Sequence, residues 1–427
     1  MGKKIYLYPI FLLIAAVSIA NSQPQVSWVH CYGGFESDIF YDVYLTNAGD
    51  YVMCGCSGED IYVVKADEGG DLVWERRFDN QNTRCQARTI IETDDGDYIV
   101  SGTSDSLLCV LRIDPDGDQV WFNTYGRFIG NAVIELKSGE LMVAGYWAIR
   151  GARTQAVLLQ IEPDGDLIWR REYGEENHSE RLYALRETEG GVIAAGYRTY
   201  SARDLRILAL KTDFDGDLIW MSDYRIEDDQ EKGFAMASAA DGFVIAGQSA
   251  YEYIDGQAVI NFCLLKIDGD GEFVWGDAYH FDWGFENRWS GICRMPNDDL
   301  ALVGFSRSRN GATDDRPTAQ VITDRGAERW HIQYNMAEIG DFSNSRNCFK
   351  SVIVGRDGGL VACGKVFNSG EERGNDGFIM KLEPEILEPM VIYHFPEDTM
   401  LSVLPGDSIR FVVRAEDQQG DALSYLW

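Results

Sequence analysis

Histidine is scarce in this chain, with five in 427 residues: His30, His178, His280, His331 and His394. They are scattered, and none has the spacing of a metal site. No Gly-Lys-Ser/Thr phosphate loop and no Gly-x-Ser-x-Gly elbow occurs, so P-loop and hydrolase-elbow chemistries find no anchor. Positive charge is also short. Lys plus Arg total 38 against 69 Asp plus Glu, a net charge of −31. That balance argues against nucleic acid and anionic membrane surfaces, which both need cationic protein. No CxxC pair or Cys/His spacing suggests zinc. Helical periodicity is missing, and so are long apolar runs after the N-terminus.

The single apolar run, from Ile5 to Ala20, follows Lys3 and Lys4 and precedes the small residues Asn21 and Ser22. This pattern predicts a secretory signal over residues 1–22, and so a secreted, extracellular or cell-surface protein. The run is too short for a comfortable transmembrane span. The nine cysteines sit mostly in apolar strand patterns and read as small buried residues. Disulfides stay open as a second reading, because the expected compartment is oxidising.

What the chain has is a repeat. Tryptophans recur at Trp28, Trp74, Trp121, Trp169, Trp220, Trp275 and Trp330. Most end an Asp/Gly-rich phrase such as Asp114-Pro115-Asp116-Gly117-Asp118-Gln119-Val120-Trp121. A second phrase is a β-branched or apolar run ending in Gly55, Gly102, Gly145, Gly196, Gly247, Gly304 or Gly364, usually entered from a tight turn. Each unit therefore holds four strands, and its length is that of one propeller blade. The seventh unit lacks a Trp strand, while residues 25–34 form a Trp strand with no unit before it. Pairing the two completes both and removes exposed edges. The expected fold is all-β, a seven-bladed β-propeller over residues 23–385 closed by an N-terminal strand. Residues 386–396 are then a linker.

The Asp-x-Asp-Gly-Asp-x-x-Trp phrase resembles the tryptophan-docking motif of quinoprotein-like propellers, as in secreted bacterial repeat proteins. The resemblance implies that Trp28, Trp74, Trp121, Trp169, Trp220, Trp275 and Trp330 pack between neighbouring blades against a turn glycine. It carries no quinone site, because the adjacent cysteines of that family are replaced here by Cys54-x-Cys56. The segment from residue 397 to Trp427 resembles the opening strands of an Ig-like or PKD-like domain, and the expectation is an incomplete β-sandwich.

The units differ in their loops, where function has room. The distance from the second-strand Gly to the Trp grows from 19 residues in the first two units to 28 in the fifth, between strands two and three. Those loops share one face of a propeller with the connections between units. They carry aromatics and arginines, the residues enriched at binding hot spots. The candidate ligand-binding set is Trp147, Arg150, Arg153, Arg198, Tyr200, Arg203, Tyr251, Tyr253, Trp283, Arg288, Trp289, Arg307 and Arg309. The competing reading is ordinary solvated loops whose aromatics pack locally. Arg84, Arg181, Lys232, Arg288 and Arg346 stand near the starts of first strands and would ring a channel mouth if those strands are innermost.

The acidic turns raise calcium. Asp114, Asp116 and Asp118 hold positions one, three and five of a calcium loop, but Gly117 stands at four and no Glu follows at twelve. The expectation is a Gly-dependent turn and no cofactor, with weak Ca2+ binding left open. No catalytic residue is nominated. The expected function is a monomeric, non-catalytic scaffold that binds a glycan or protein. An extracellular carbohydrate-active enzyme with its site at the channel mouth, and a structural spacer, are the alternatives.

Overall fold

A computed structural model describes residues 24–34, 36–79, 84–147, 153–226, 230–254, 257–279, 286–307, 315–340, 342–343, 346–368 and 374–384. It also describes the backbone of two short strands, Met390–Tyr393 and Val413–Glu416, which pair antiparallel. The expected signal segment, most of the expected linker and most of the Ig-like segment lie outside the described residues, as do Arg150, Trp283 and Arg309.

Among the described residues the chain is all-β apart from one short helix, Met336–Ile339. The strands follow the repeat in antiparallel groups of four. Asp38–Leu45, Tyr51–Ser57, Asp60–Ala66 and Leu72–Phe78 make the first sheet, and Cys85–Glu92 to Gln119–Thr124 the second. The fourth, fifth and sixth units are joined into one sheet by two single-residue parallel bridges, Leu205 to Gln230 and Ile260 to Glu286. The last unit, Cys348–Val354, Leu360–Asn368 and Gly374–Leu382, takes its fourth strand from Val26–Tyr32. The sequence placed the strand missing from the last unit in this N-terminal segment, and Val26–Tyr32 pairs there.

Packing shows why four strands alone are not enough. The core consists of apolar clusters, each filled from two neighbouring units. Val52, Cys54 and Val63 meet Ile90, Val100 and Leu111 in one. Phe40, Tyr51 and Tyr62 of the first unit meet Val361, Cys363 and Ile379 of the last in another. A unit thus buries each face only against a neighbour, as repeat architectures do. The last-to-first cluster closes the circle. The fold is a β-propeller.

The Trp phrase acts between units. Trp74 lies on Gly117 of the next unit, and its Nε1 donates to the Pro115 carbonyl at 3.1 Å. Trp121 lies on Gly165 and donates to Pro163 at 3.2 Å, and Trp169 lies on Gly216 and donates to Phe214 at 3.2 Å. Trp28, Trp220 and Trp275 meet Gly70, Gly271 and Gly326 in the same way. Trp330 is buried between the last two units. Gly165 has φ +93, and a Cβ there would stand 3.3 Å from the indole, so the turn is restricted to glycine twice over. A second device, not marked by the Trp phrase, joins the same units. The tyrosine four residues after the Trp donates to the same glycine's carbonyl: Tyr125 to Gly165 and Tyr173 to Gly216, both at 2.7 Å, and Tyr224 to Gly271 at 2.6 Å.

The acids of these turns have a local job. Asp114 Oδ1 accepts the backbone amides of Asp116 at 3.0 Å and Asp118 at 2.8 Å, and Asp268 does the same for Asp270 and Glu272. These are Asx turns. Cys54, Cys85, Cys109, Cys263, Cys348 and Cys363 are buried in strands.

Candidate functional site at the channel mouth

The first strand of every unit is innermost, and together these strands line a central channel. Each carries a β-bulge at the same place. The bulged residues are Tyr41, Arg88, Asn131, Tyr183, Phe234, Ser290 and Lys350. A bulge re-aims a side chain, and all seven border one cavity of about 220 Å3.

The glycine within the second strand makes the bulge fit. In each unit it pairs with the residue just before the bulge, as Gly196 with Leu182 and Gly247 with Gly233. A Cβ at Gly196 would fall 1.8 Å from the Arg181 carbonyl oxygen, and one at Gly247 would fall 1.7 Å from that of Lys232. The same backbone contact recurs at Gly55, Gly102, Gly145, Gly304 and Gly364. The second sequence phrase is therefore the signature of the channel lining.

Two residues before the bulge stand Arg181, Lys232 and Arg288, nearer the ends of the strands that join the loops between units. With Arg88 and Lys350 they build a cationic mouth threaded with aromatic rings. The Arg88 guanidinium lies 4.6 Å from the Tyr41 ring centre, Arg181 4.8 Å from Tyr146, and Arg288 3.6 Å from Phe234. Lys232 is 5.6 Å from the Tyr197 ring and Lys350 5.8 Å from Tyr41. Tyr183 stacks on Tyr197 at 5.8 Å and meets Phe234 edge-on at 5.4 Å. Such contacts partly satisfy a cation without neutralising it.

Electrostatics sets this cluster apart. Among the described residues, none of the five cations lies within 4.0 Å of a carboxylate oxygen. Arg88 Nε, Arg288 Nε and Ser290 Oγ are buried without a hydrogen-bond partner. Burial, then Arg288 and Arg181, hold the Lys232 ammonium below its usual range, and burial lowers Arg288. Deeper in the channel burial also lowers Arg186.

Asp42 is the acid beside the bulges, and it is occupied. Its Oδ1 accepts from Ser351 Oγ at 2.7 Å and its Oδ2 from Thr89 Oγ1 at 2.9 Å, so it laces the first unit to both neighbours. It also accepts the Val43 and Ile90 amides, yet burial outweighs these bonds and raises its pKa. At the opposite end of the channel, Glu92 and Glu135 accept the backbone amides of Asn47 and Asp94 in preceding turns.

Few of the sequence-derived candidates gather here. Arg288 does. Trp289, expected on the loop face, is wholly buried and stacks on Phe262 at 3.8 Å, because it lies on the innermost strand Glu286–Arg294 and points between units. Trp147 ends the strand Leu141–Trp147 and packs edge-on against Phe128 at 5.3 Å. Arg198 and Tyr200 belong to the extended strand Gly191–Ser201 instead of a loop. Arg198 is 7% exposed and pairs with Glu180 at 3.0 Å and Asp223 at 3.3 Å, and the Tyr200 hydroxyl donates to Asp223 at 2.9 Å. Arg307 pairs with Asp315 and Glu286. Arg153 donates to the Glu176 carbonyl at 3.0 Å, and Arg203 sits in the turn after Ser201 with partners of its own. Tyr251 and Tyr253 lie on the strand Gly242–Ile254, and their side chains are outside the described residues. Of the cations expected at the mouth, Arg181, Lys232 and Arg288 are there. Arg84 and Arg346 are exposed just before their strands, and Arg88 and Lys350 take their places. The bulge residues share no residue type, so no sequence pattern marks them; the glycine opposite is the signal that could have found them.

The fold and this mouth define a β-propeller with a cationic, aromatic channel opening. No family model matches the chain. No curated protein matches it. It is similar to the solved structure of virginiamycin B lyase from Staphylococcus aureus, with 13% identity, 83% of this chain and 99% of that one covered, and a TM-score of 0.52. It is also similar to a fungal alcohol oxidase of the AA5 family in complex with copper, with 11% identity, coverage of 88% and 81%, and a TM-score of 0.52. At these identities the likeness is one of fold.

Proposed function

We propose that the chain is a secreted, monomeric, seven-bladed propeller that binds a glycan, without catalysis, at the loop-side mouth of its channel. The N-terminal apolar segment supports export. The observation that carries the reading is the cluster of rings and uncompensated cations around the cavity at Tyr183, Phe234 and Arg288. Aromatic faces suit the apolar faces of sugars, and rigid strands hold the groups in place. Asp42, Glu92 and Glu135 are committed to backbone and hydroxyl donors, which favours binding over acid–base hydrolysis. An Ig-like segment after the propeller would serve as a spacer or partner module.

The test is retention of the full chain on a panel of immobilised polysaccharides. Tyr183→Ala is expected to abolish retention, and Arg203→Ala, on the outer hairpin, to leave it intact. The opposite pattern would return the site to the outer loops.

A further inference from the structure

We infer that the bound sugar is acidic, and that a carboxylate or sulfate on its ring is seated between Lys232, Arg288 and the other cations of the mouth. This rests on the glycan-binding reading and names its ligand class. The chain as a whole carries a net charge of −31, so cations have an abundance of acids to pair with. The arginines of the outer hairpins do pair: Arg198 with Glu180 and Asp223, Arg206 with Asp204 and Asp223, Arg307 with Asp315. The five cations of the mouth do not, although they stand close enough to depress one another, as Arg288 and Arg181 depress Lys232. Crowded like charges in a half-buried site cost stability, and groups perturbed in this way cluster at functional sites. An anion supplied from outside removes it.

The geometry selects a sugar over an acidic peptide. The cavity at the bulges, about 220 Å3, has room for one sugar ring with its substituent, and it adjoins a channel space of about 620 Å3 that shares Asp42, Thr89 and Arg186. Peptide segments are commonly read through a free, regular sheet edge, and the channel-facing edges of the innermost strands are each broken by a bulge. The mouth offers rings and charges, and no unbroken strand edge. Long-range repulsion by the acidic surface would also reject anionic polymers that fail to reach the mouth.

Calorimetric titration of the full chain with glucuronate, a sulfated monosaccharide, glucose and hexaglutamate tests this. Either acidic sugar should bind at least tenfold more tightly than glucose, with affinity falling as salt rises, and the tighter of the two identifies the anion. Lys232→Gln and Arg288→Gln should each weaken that binding at least tenfold. Without ligand, Lys232→Gln should melt at or above the wild-type temperature, since it relieves repulsion. Equal, salt-insensitive binding of glucose and glucuronate would overturn the inference and leave the glycan reading standing. Tighter binding of hexaglutamate would overturn it in favour of an acidic protein segment. A Lys232→Gln variant that melts well below wild type would make the cations structural and overturn it too. Failure of the whole polysaccharide panel would remove the underlying reading first.

Discussion

Gly196→Ala is the sharpest probe of how the repeat makes its channel. The added methyl would fall 1.8 Å from the Arg181 carbonyl oxygen and 2.9 Å from Leu182 Cα, both backbone atoms of the innermost strand. A flexible side chain could swing away; backbone cannot. The strand must move outward or lose its bulge at Tyr183. Overpacking of this kind costs about 1–3 kcal/mol, with backbone contact at the upper end. Lower entropy of the unfolded chain returns about 0.4–1 kcal/mol. A net loss of about 2 kcal/mol corresponds to a fall of roughly 2–3 °C in melting temperature for a domain of this size. Gly269→Ala is the control, because nothing lies within 4 Å of its Cβ position. It should stay within about 0.5 kcal/mol of wild type, as open surface positions do. Thermal and urea unfolding of the two variants side by side read the difference. The Gly196 variant should also lose polysaccharide retention, because Tyr183 is re-aimed. If both glycine variants unfold alike and bind alike, the link from glycine to bulge to channel is wrong.

Tyr173→Phe removes the buried bond to the Gly216 carbonyl and should cost about 1–2 kcal/mol in urea unfolding, leaving an unpaired acceptor; an unchanged midpoint would mean the tyrosine is held by packing alone. Deleting residues 24–34 strips the fourth strand from Gly374–Leu382 and exposes an edge, so the shortened chain should unfold less cooperatively and self-associate on size exclusion. A monomer with the wild-type midpoint would contradict closure by that strand. Asp42 has a raised folded-state pKa, so its protonated form favours folding below the ordinary carboxylate value of about 4, and that contribution is lost as pH rises through the folded value. The stability of wild type relative to Asp42→Asn should therefore fall across this window, in urea midpoints taken from pH 3.5 to 7, and a constant difference would refute the assignment.

Much of this was legible in one dimension because it is local or periodic. Alternation along the strands, the glycines of the Asp-Gly turns and the recurring Trp are set by backbone geometry within a few residues, and the chain repeats them. The orphan strand around Trp28 and the incomplete seventh unit were each visible as a gap in the pattern, and the pairing of Val26–Tyr32 with Gly374–Leu382 fills both. The Trp-on-glycine contacts follow, since the phrase places both partners at fixed spacing. What pairs with what across the ring was not visible. Arg198 and Arg288 look alike in sequence, each beside an aromatic, yet one ends on Glu180 and Asp223 and the other on Phe234, with no carboxylate oxygen within 4.0 Å among the described residues. Trp289 has the composition of a loop anchor and the position of a core residue. The mouth draws its residues from strands some fifty positions apart, and their types follow no repeat because the fold needs only the bulge there. The repeating residues determined the ring, and ring closure alone decided which of the non-repeating ones meet.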